Sequence, residues 1–153
     1  MARVEVVLRP ARREEASALS ALALRSKGHW GYPAEQLEAF RAELTLDPDD
    51  LDGVVVASDG GRLLGYRRVI IDGPSAELDA LFVDPPFIGS GVGARLLADA
   101  LAAARVAGAL SVGLDADPDA ESFYRRHGAR TVGRSPSGSI PGRTLPRMEF
   151  DLS

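Results

Sequence analysis

Apolar residues recur along the chain at two periods, and the two periods predict two kinds of secondary structure. Short runs rich in β-branched and aromatic residues predict strands. These runs cover residues 4–10, 53–58, 63–71, 76–83, 110–116, 129–134 and 145–152. Segments with apolar residues every three or four positions predict helices. These segments cover residues 11–28, 33–44, 93–107 and 117–128.

The order of these elements, β-α-α-β-β-β-α-β-α-β-β, predicts a mixed α/β fold. Turn residues at 59–62 and 72–75 make 53–83 an antiparallel meander. The helix at 93–107 then joins two strands in a crossover that we expect to be parallel and right-handed. We therefore expect a mainly antiparallel central sheet with one parallel strand–helix–strand unit.

Capping signals support several helix ends. The first helix has Glu14 and Glu15 near its start and is predicted to stop at Gly28. Pro33 is predicted as the first residue of the second helix. Asp117 is predicted to cap the last helix.

Composition limits the class of protein. The 153 residues suit a single domain over residues 1–153, and the 45% of hydrophobic residues can form a packed core. No apolar run is long enough for a membrane span, and the first residues lack a signal-peptide pattern. We therefore expect a cytoplasmic protein that does not act at a membrane.

Charge and ligand counts exclude further classes. The net charge of −4 argues against a nucleic-acid binder, whose domain is usually basic. Because the chain has no cysteine and only two histidines, neither a disulfide framework nor a metal site is expected.

The stretch "DPPFIGSGVGARLL" (84–97) has glycine at every second position from Gly89 to Gly93, just before a predicted helix. The first amides of a helix have no internal partner, and the helix dipole makes that end positive, so such a loop favours a phosphate. A Walker-type loop would need Gly-Lys-Ser/Thr, which is not present. The glycines would otherwise serve only tight helix–strand packing.

A dinucleotide-binding loop is an alternative that the sequence leaves open. The segment "GSGVGA" (89–94) fits the pattern G-x-G-x-x-G/A, and Asp115 ends the following strand, where an acid that binds the ribose would lie. Against this interpretation, Asp84, Pro85 and Pro86 separate the strand from the first glycine.

With its flanks, "LFVDPPFIGSGVGARLL" (81–97) resembles the acetyl-CoA signature of the GNAT superfamily of N-acetyltransferases. Val83 and Pro85 match the end of the signature's strand, and the glycines match its loop. The segment "ESFYRRHGARTVG" (121–133) is similar to a second segment of that family. Two positions depart from the family pattern, because Ile88 replaces Arg or Gln and Ala129 replaces Phe.

The resemblance implies a GNAT-like fold with helices on both faces of the sheet. It also implies that acetyl-CoA is the donor, that its pantetheine lies along the strand at 76–83, and that its diphosphate lies on the glycine loop. The implied cofactor-binding residues are Leu81, Phe82, Val83, Ile88, Gly89, Ser90, Gly91, Val92, Gly93, Ala94 and Tyr124.

The resemblance further implies catalytic residues. Tyr124 corresponds to a tyrosine that protonates the leaving thiolate, although spacing alone would also suit a core aromatic. Glu77 and Asp79 lie two apart on one strand, so we expect them to share a face, opposite Leu78, Ala80 and Phe82. Some family members have a general base at the position of Glu77, which we therefore rank ahead of Asp79. A solvated strand face is the alternative for both carboxylates.

The family usually lines the acceptor side of its cleft with the segment between the first two helices. Here that segment, "RSKGHWGYP" (25–33), carries the candidate substrate-binding residues His29, Trp30 and Tyr32. A helix–helix corner pinned by a buried Trp30 is the alternative. The loop at 135–146 would cover the acceptor, with Arg143 as a candidate anion contact.

These features predict an N-acetyltransferase that moves an acetyl group from acetyl-CoA directly to a primary amine of a small-molecule acceptor. Two alternatives are a non-catalytic module that binds acyl-CoA or a partner protein, and a dinucleotide-binding protein. An exposed C-terminal strand would support a homodimer.

Overall fold

A computed structural model describes residues 5–153, so the first residue of the strand predicted at 4–10 lies outside the described residues. Seven strands occur in this range. They are β1 (Val7–Pro10), β2 (Val54–Asp59), β3 (Arg62–Asp72), β4 (Ser75–Val83), β5 (Ser111–Asp115), β6 (Arg130–Pro136) and β7 (Thr144–Asp151). The α-helices of the same range are α1 (Ala16–Gly28), α2 (Ala34–Leu44), α3 (Val92–Val106) and α4 (Glu121–Arg126).

The strands form one sheet in the order β1-β2-β3-β4-β5-β7-β6. β4 and β5 pair in parallel and are joined through α3, whereas the other neighbours pair antiparallel. The mixed α/β fold with one parallel crossover is therefore confirmed. No helix in residues 5–153 has the length and apolar character that a bilayer crossing needs.

Helices cover both faces of the sheet, as expected. On one face, Leu19 and Leu22 of α1 pack against Val56 and Tyr66. On the other face, Leu97 and Ala100 of α3 pack in the same cluster as strand residues such as Val112. An ion pair also joins α3 to the sheet, because buried Arg67 of β3 donates a hydrogen bond to Asp99 of α3 at 2.6 Å. Both helices that border the functional site are thus held against the sheet.

Several element ends differ from the sequence prediction. Arg13–Glu15 form a 3₁₀ turn, so α1 begins at Ala16 rather than at residue 11. The helix includes Gly28 instead of stopping before it. Pro33 is the N-cap of α2 and not its first residue, while the side chain of Asp117 accepts from the amide of Asp119 as a cap should.

The exposed edge of the sheet is not the C-terminal strand. β7 pairs with β5 on one side and with β6 on the other, so β6 and, at the far end, β1 are the edge strands of the described sheet. The expectation that an exposed C-terminal strand supports a homodimer is wrong in this respect, because the chain folds its last strand inside the sheet.

A β-bulge changes the alternation of β4. The pairing with β3 passes from Arg68↔Ala80 to Val69↔Leu78, which leaves Asp79 as the extra residue. As a result, Leu78 packs into the core on the α3 face, whereas Ala80 and Phe82 pack on the α1 face. The expectation that these three apolar residues share one face is wrong, because the bulge inverts the alternation after Leu78.

We predict that Glu15 stabilises the fold in a pH-dependent manner. Its carboxylate accepts from Arg9 at 2.7 and 2.9 Å, and this hydrogen-bonded pair lowers its pKa from 4.5 to about 2. Because the pKa of Glu15 is lower in the folded than in the unfolded protein, its ion pair stabilises the fold above pH 4.5. This stabilisation is lost as the pH falls towards 2.

Glu15→Gln should therefore lower the free energy of unfolding at pH 7 by about 1 kcal/mol. The difference from the unsubstituted protein should shrink as the pH falls below about 4.5. Urea unfolding at a series of pH values measures this difference, and a constant difference down to pH 3 would contradict the assignment. Glu14→Gln, at an exposed neighbour, is the control.

Candidate functional site

The site is built on an interruption of the sheet. β4 and β5 pair over only three residues, and the last pair is Glu77↔Gly113. Beyond that pair the two strands separate, and a cleft with a volume of about 630 Å³ opens beside residues 78–83 of β4. The far side of the cleft is formed by Leu114, Asp115 and Asp117.

The cleft is bordered from both faces of the sheet. On the α3 face it meets the glycine loop and, from α4, Phe123, Tyr124 and His127. On the α1 face it meets the last turn of α1 and the residues after it, with Lys27 and Trp30. Two molecules that approach from opposite faces can therefore meet inside the sheet.

The glycine loop presents free amides to one end of this cleft. Gly89 has φ +85° and Gly91 has φ +93°, a region that residues with a side chain rarely adopt. Within residues 5–153, five amides in and after this loop have no hydrogen-bond acceptor. They belong to Gly89, Gly91, Val92, Gly93 and Ala94.

These amides form a site for an anion such as a diphosphate. They lie at the N-terminus of α3, where the helix dipole adds positive potential. A Cβ at Gly89 or Gly91 would meet no atom within 4 Å, so open space lies above both residues. Packing therefore does not explain these two glycines, whereas Gly93 lies against Val83 and Phe123.

Other loop residues predicted to bind a cofactor differ in their positions. Ile88 and Ala94 line the cleft. Val92 is buried in the core with Leu96, so only its backbone amide is available. The Ser90 hydroxyl donates back to the carbonyl of Phe87 at 2.5 Å and stabilises the bend of the loop.

The separated edge of β4 presents alternate amides to the cleft. The amide of Asp84 donates a hydrogen bond to the carbonyl of Leu64, so Leu64 and Asp84 are a hydrogen-bonded pair of the antiparallel ladder. The register then makes Tyr66 and Phe82 the next such pair. The amide of Phe82 is therefore engaged by β3, although the residue lines the cleft, while the amides of Leu81 and Val83 face the cleft.

Tyr124 lines the cleft from the α3 face. Its ring is 7% exposed and packs edge-on against Phe123 and Phe150, so it is also a core aromatic. Its hydroxyl has no hydrogen-bond partner within residues 5–153, yet it is not sealed from the cleft that the residue lines. Burial raises the pKa of Tyr124 above its ordinary value of 10.0, which keeps the phenol protonated.

The structure separates the two candidate bases. Glu77 does not line the cleft, and its carboxylate forms a bidentate pair with Arg147 of β7 at 2.5 and 2.8 Å. Asp79 lines the cleft at the bulge and is exposed. Within residues 5–153 it has no hydrogen-bond or ion-pair partner. Of the two candidates, only Asp79 therefore lies in the cleft.

The three residues predicted to bind the acceptor are not equivalent. Trp30 lines the cleft and is 44% exposed, so the alternative of a corner pinned by a buried tryptophan is wrong. His29 packs edge-on against Trp30 and does not itself line the cleft. Tyr32 lies behind the cleft wall and donates its hydroxyl to Asp117 at 2.8 Å.

Sequence reasoning missed a polar cluster on the α1 side of the cleft. Asp117 accepts from Lys27 at 3.1 Å and from Tyr32, and the Tyr32 hydroxyl accepts from Arg143 at 2.6 Å. These four side chains join α1, the turn before α2, the segment before α4 and the loop after β6. The sequence gives one indication that Lys27 has a specific role, because it is the only lysine in the chain.

The cluster keeps Asp117 ionised. Burial alone would raise the pKa of Asp117, but Lys27, the Asp119 amide and the Tyr32 hydroxyl together lower it below its ordinary value. For Tyr32, burial and the bond to Asp117 raise the pKa to about 12, against the opposing effect of Arg143. Asp117 is therefore a charged carboxylate whose neighbours compensate its charge, and it is less available to a ligand than Asp79.

A family model described as the acetyltransferase (GNAT) family matches residues 16–129. That range contains α1 to α4, the glycine loop, both candidate bases and Tyr124. A search of curated protein sequences gave no significant match.

Solved structures share the fold over nearly the whole chain. A GCN5-related N-acetyltransferase from Rhodopseudomonas palustris is 26% identical, with a TM-score of 0.81 and 99% of each chain covered. The PaiA N-acetyltransferase of Thermoplasma acidophilum, in complex with coenzyme A, is 21% identical, with a TM-score of 0.77 and 96% and 99% coverage of this and that chain. YncA of Salmonella typhimurium, with its cofactor acetyl-CoA, is 20% identical, with a TM-score of 0.69 and 97% and 95% coverage.

The two kinds of loop glycine predict different outcomes of substitution. Gly91→Ala forces a side chain into the left-handed region, which costs about 1–3 kcal/mol, and it points a methyl group into the space above the loop. We expect coenzyme A to bind about tenfold more weakly, a loss of about 1.4 kcal/mol.

Gly93→Ala is the matched control for this prediction. Its Cβ would make ordinary contacts with Val83 at 3.5 Å and Phe123 at 3.7 Å, at a position inside α3. Its affinity for coenzyme A in calorimetry should stay within about threefold of the unsubstituted protein. Equal affinities for the two variants would contradict the assignment of the loop.

Proposed function

Because the chain belongs to the acetyltransferase (GNAT) family, we propose that it transfers the acetyl group of acetyl-CoA directly to a primary amine of a small molecule. The observation that carries this proposal is the set of five free amides at the mouth of a cleft that crosses the sheet. A donor held by its diphosphate on one face can reach an amine that enters from the other face.

The donor is bound mainly by backbone groups. The amides of Gly89 and of Gly91 to Ala94 take the diphosphate, because no acceptor within residues 5–153 occupies them. The loss of Arg or Gln at Ile88 removes a side-chain contact but leaves these amides unchanged. Along β4, the amides of Leu81 and Val83 bind the pantetheine, and one of them stabilises the oxyanion that forms on the acetyl carbonyl.

The reaction requires three proton transfers. Asp79 takes a proton from the ammonium group of the acceptor, directly or through water, and leaves a neutral amine. The amine nitrogen then attacks the acetyl carbon to give a tetrahedral intermediate, the nitrogen loses its second proton to water, and the amide forms as the carbon–sulfur bond breaks. The sulfur leaves with the bonding electrons and takes its proton from the hydroxyl of Tyr124, which solvent later reprotonates.

Tyr124 suits the role of an acid in part. Its buried phenol stays protonated, and its hydroxyl is free to donate into the cleft. Because a phenol has a reference pKa of about 10 and a thiol about 8.5, and burial raises the pKa of Tyr124 further, full proton transfer is uphill. A strong hydrogen bond to the developing thiolate is therefore a large share of its contribution.

Asp79 is the base because it lies on β4 itself, two residues from the free amide of Leu81, and has no ion pair within residues 5–153. Asp119 also lines the cleft without an ion pair in that range, but it lies on the 3₁₀ turn before α4. Three further carboxylates lie near the opening, namely Glu77, Asp115 and Asp117. Arg147 binds two of them, and Lys27 binds Asp117. Asp79 has no cationic partner within residues 5–153, so it can attract a cationic amine and accept its proton. Trp30 beside the cleft offers an aromatic face to the same cation.

Ligand binding and turnover test this function together. We expect calorimetry to show binding of acetyl-CoA and none of NAD, and a panel of small primary amines to release coenzyme A. Tight binding of NAD without acetyl-CoA would favour the dinucleotide alternative. Binding of acetyl-CoA with no turnover on any amine would favour a non-catalytic module.

Tyr124→Phe should lower kcat by about 10- to 100-fold, because the leaving thiolate loses its proton donor. The dissociation constant of acetyl-CoA should change by less than about threefold, since the loop holds the diphosphate. Steady-state kinetics and calorimetry measure the two effects. Tyr66→Phe, at a buried tyrosine of the α1-face core, is the control, and an unchanged kcat for Tyr124→Phe would refute the role.

Asp79→Asn should lower kcat by about 100-fold at pH 7, because the amide cannot take a proton from the ammonium group. Raising the pH should recover part of the loss, since more of the acceptor is then already neutral. Asp59→Asn, at the end of β2, is the matched control. A pH–rate profile that Asp79→Asn leaves unaltered in shape would contradict this assignment.

A further inference from the structure

We infer that Glu77, Arg147 and Asp115 form an ion-pair clamp where β4 and β5 separate, and that this clamp positions the edge of β4 for acetyl transfer. The inference rests on the proposed function and assigns Glu77 a positioning role in place of a catalytic one. Hereafter "the clamp" means these three residues.

The clamp lies on the last paired residues of the two parallel strands. Glu77 is opposite Gly113 in the final β4–β5 pair, and Arg147 is opposite Asp115 on β7. The guanidinium donates to both Glu77 oxygens at 2.5 and 2.8 Å, and to Asp115 Oδ1 at 3.2 Å. One arginine thus connects β4, β5 and β7 at the vertex of the cleft.

Gly113 makes this connection possible. To reach Glu77 from β7, the Arg147 side chain must cross the backbone of β5. A Cβ at residue 113 would collide with Arg147 Nη2 and would lie 3.2 Å from Glu77 Oε2. Glycine inside a strand normally weakens that strand, so its presence here is explained by the close approach of the guanidinium.

Stability alone does not account for the clamp. The side chains of Arg147, Glu77 and Asp115 are 34%, 40% and 41% exposed. Ion pairs with this exposure contribute little to the free energy of unfolding. The bidentate geometry instead restricts direction, because two parallel N–H···O bonds define the relative orientation of both groups.

The position of the clamp connects it to catalysis. Glu77 lies two residues before Asp79 and four before Leu81, whose amide faces the cleft. β3 supports β4 along its other edge, but towards β5 the ladder ends at Glu77. A shift of the β4 edge at this vertex moves the proposed base and the oxyanion-binding amides together.

A double-mutant cycle tests the clamp. The variants are Glu77→Gln, Arg147→Met and the pair combined, with Gly113→Ala as a variant that displaces the guanidinium without changing any charge. Gly133→Ala is the matched control, because a Cβ at that strand glycine would meet no atom within 4 Å. For each variant, kcat, the dissociation constant of acetyl-CoA and Tm are measured.

We expect kcat to fall about tenfold in Glu77→Gln, Arg147→Met and Gly113→Ala, as a misplaced reacting group predicts. The double variant should be no worse than either single variant, because the residues act as one unit. Acetyl-CoA affinity should stay within about threefold, and Tm within a few degrees. Gly133→Ala should retain full activity.

Two outcomes would overturn the inference. If Glu77→Gln lowers kcat far more than Arg147→Met and the two effects add, Glu77 acts as a base. If kcat falls only in proportion to a large loss of Tm, the three residues have a purely structural role.

Hydrogen exchange separates the clamp from the proposed function. Acetyl-CoA should protect the amides of Leu81 and Val83 in the unsubstituted protein, and less so in Arg147→Met and Gly113→Ala. This readout needs no acceptor, so it supports the clamp even if no amine is acetylated and the proposed function fails. Equal protection in every variant would overturn the clamp.

Discussion

Main-chain hydrogen bonding between β4 and β5 ends after three residues, and the arrangement of the site depends on that interruption. Beyond Glu77 the edge of β4 keeps polar groups that the neighbouring strand does not use. A sheet interior normally satisfies such groups, so an unpaired edge beside a cleft is available to a ligand. The free amides of the loop after β4 extend the same unpaired backbone towards the start of α3.

Glycines perform three separate physical tasks around this opening. Gly89 and Gly91 adopt a backbone conformation that turns amides outward and leaves space above them. Gly93 gives a close but ordinary packing contact between α3, β4 and α4. Gly113 lets an arginine cross over a strand. The unusual glycine content of this region thus has no single cause.

Charge around the opening is arranged so that Asp79 of β4 has no ion-pair partner among residues 5–153. Arg147 neutralises Glu77 and Asp115, and Lys27 with Tyr32 satisfies Asp117. Asp79 is separated from these pairs by the bulge that places it in β4 as an extra residue. Backbone irregularity and ion pairing therefore act together, because the first displaces Asp79 and the second occupies its neighbours.

The sequence by itself determined the order of the elements, the parallel crossover and the glycine loop before α3. These features follow from local patterns, since periodicity, turn residues and unpaired helix amides depend on neighbours within a few positions. The positions of Leu81, Val83 and Tyr124 beside the cleft also followed from the family resemblance. Only the tertiary structure decided which of the two candidate bases, Glu77 and Asp79, lies in the cleft. The partners Glu77 and Arg147 are 70 residues apart, and Lys27 and Asp117 are 90 apart. A local sequence pattern cannot reveal contacts between residues so far apart. The prediction that Ala80 and Phe82 lie on the same face as Leu78 assumed regular alternation along β4, and one bulge residue inverts that alternation.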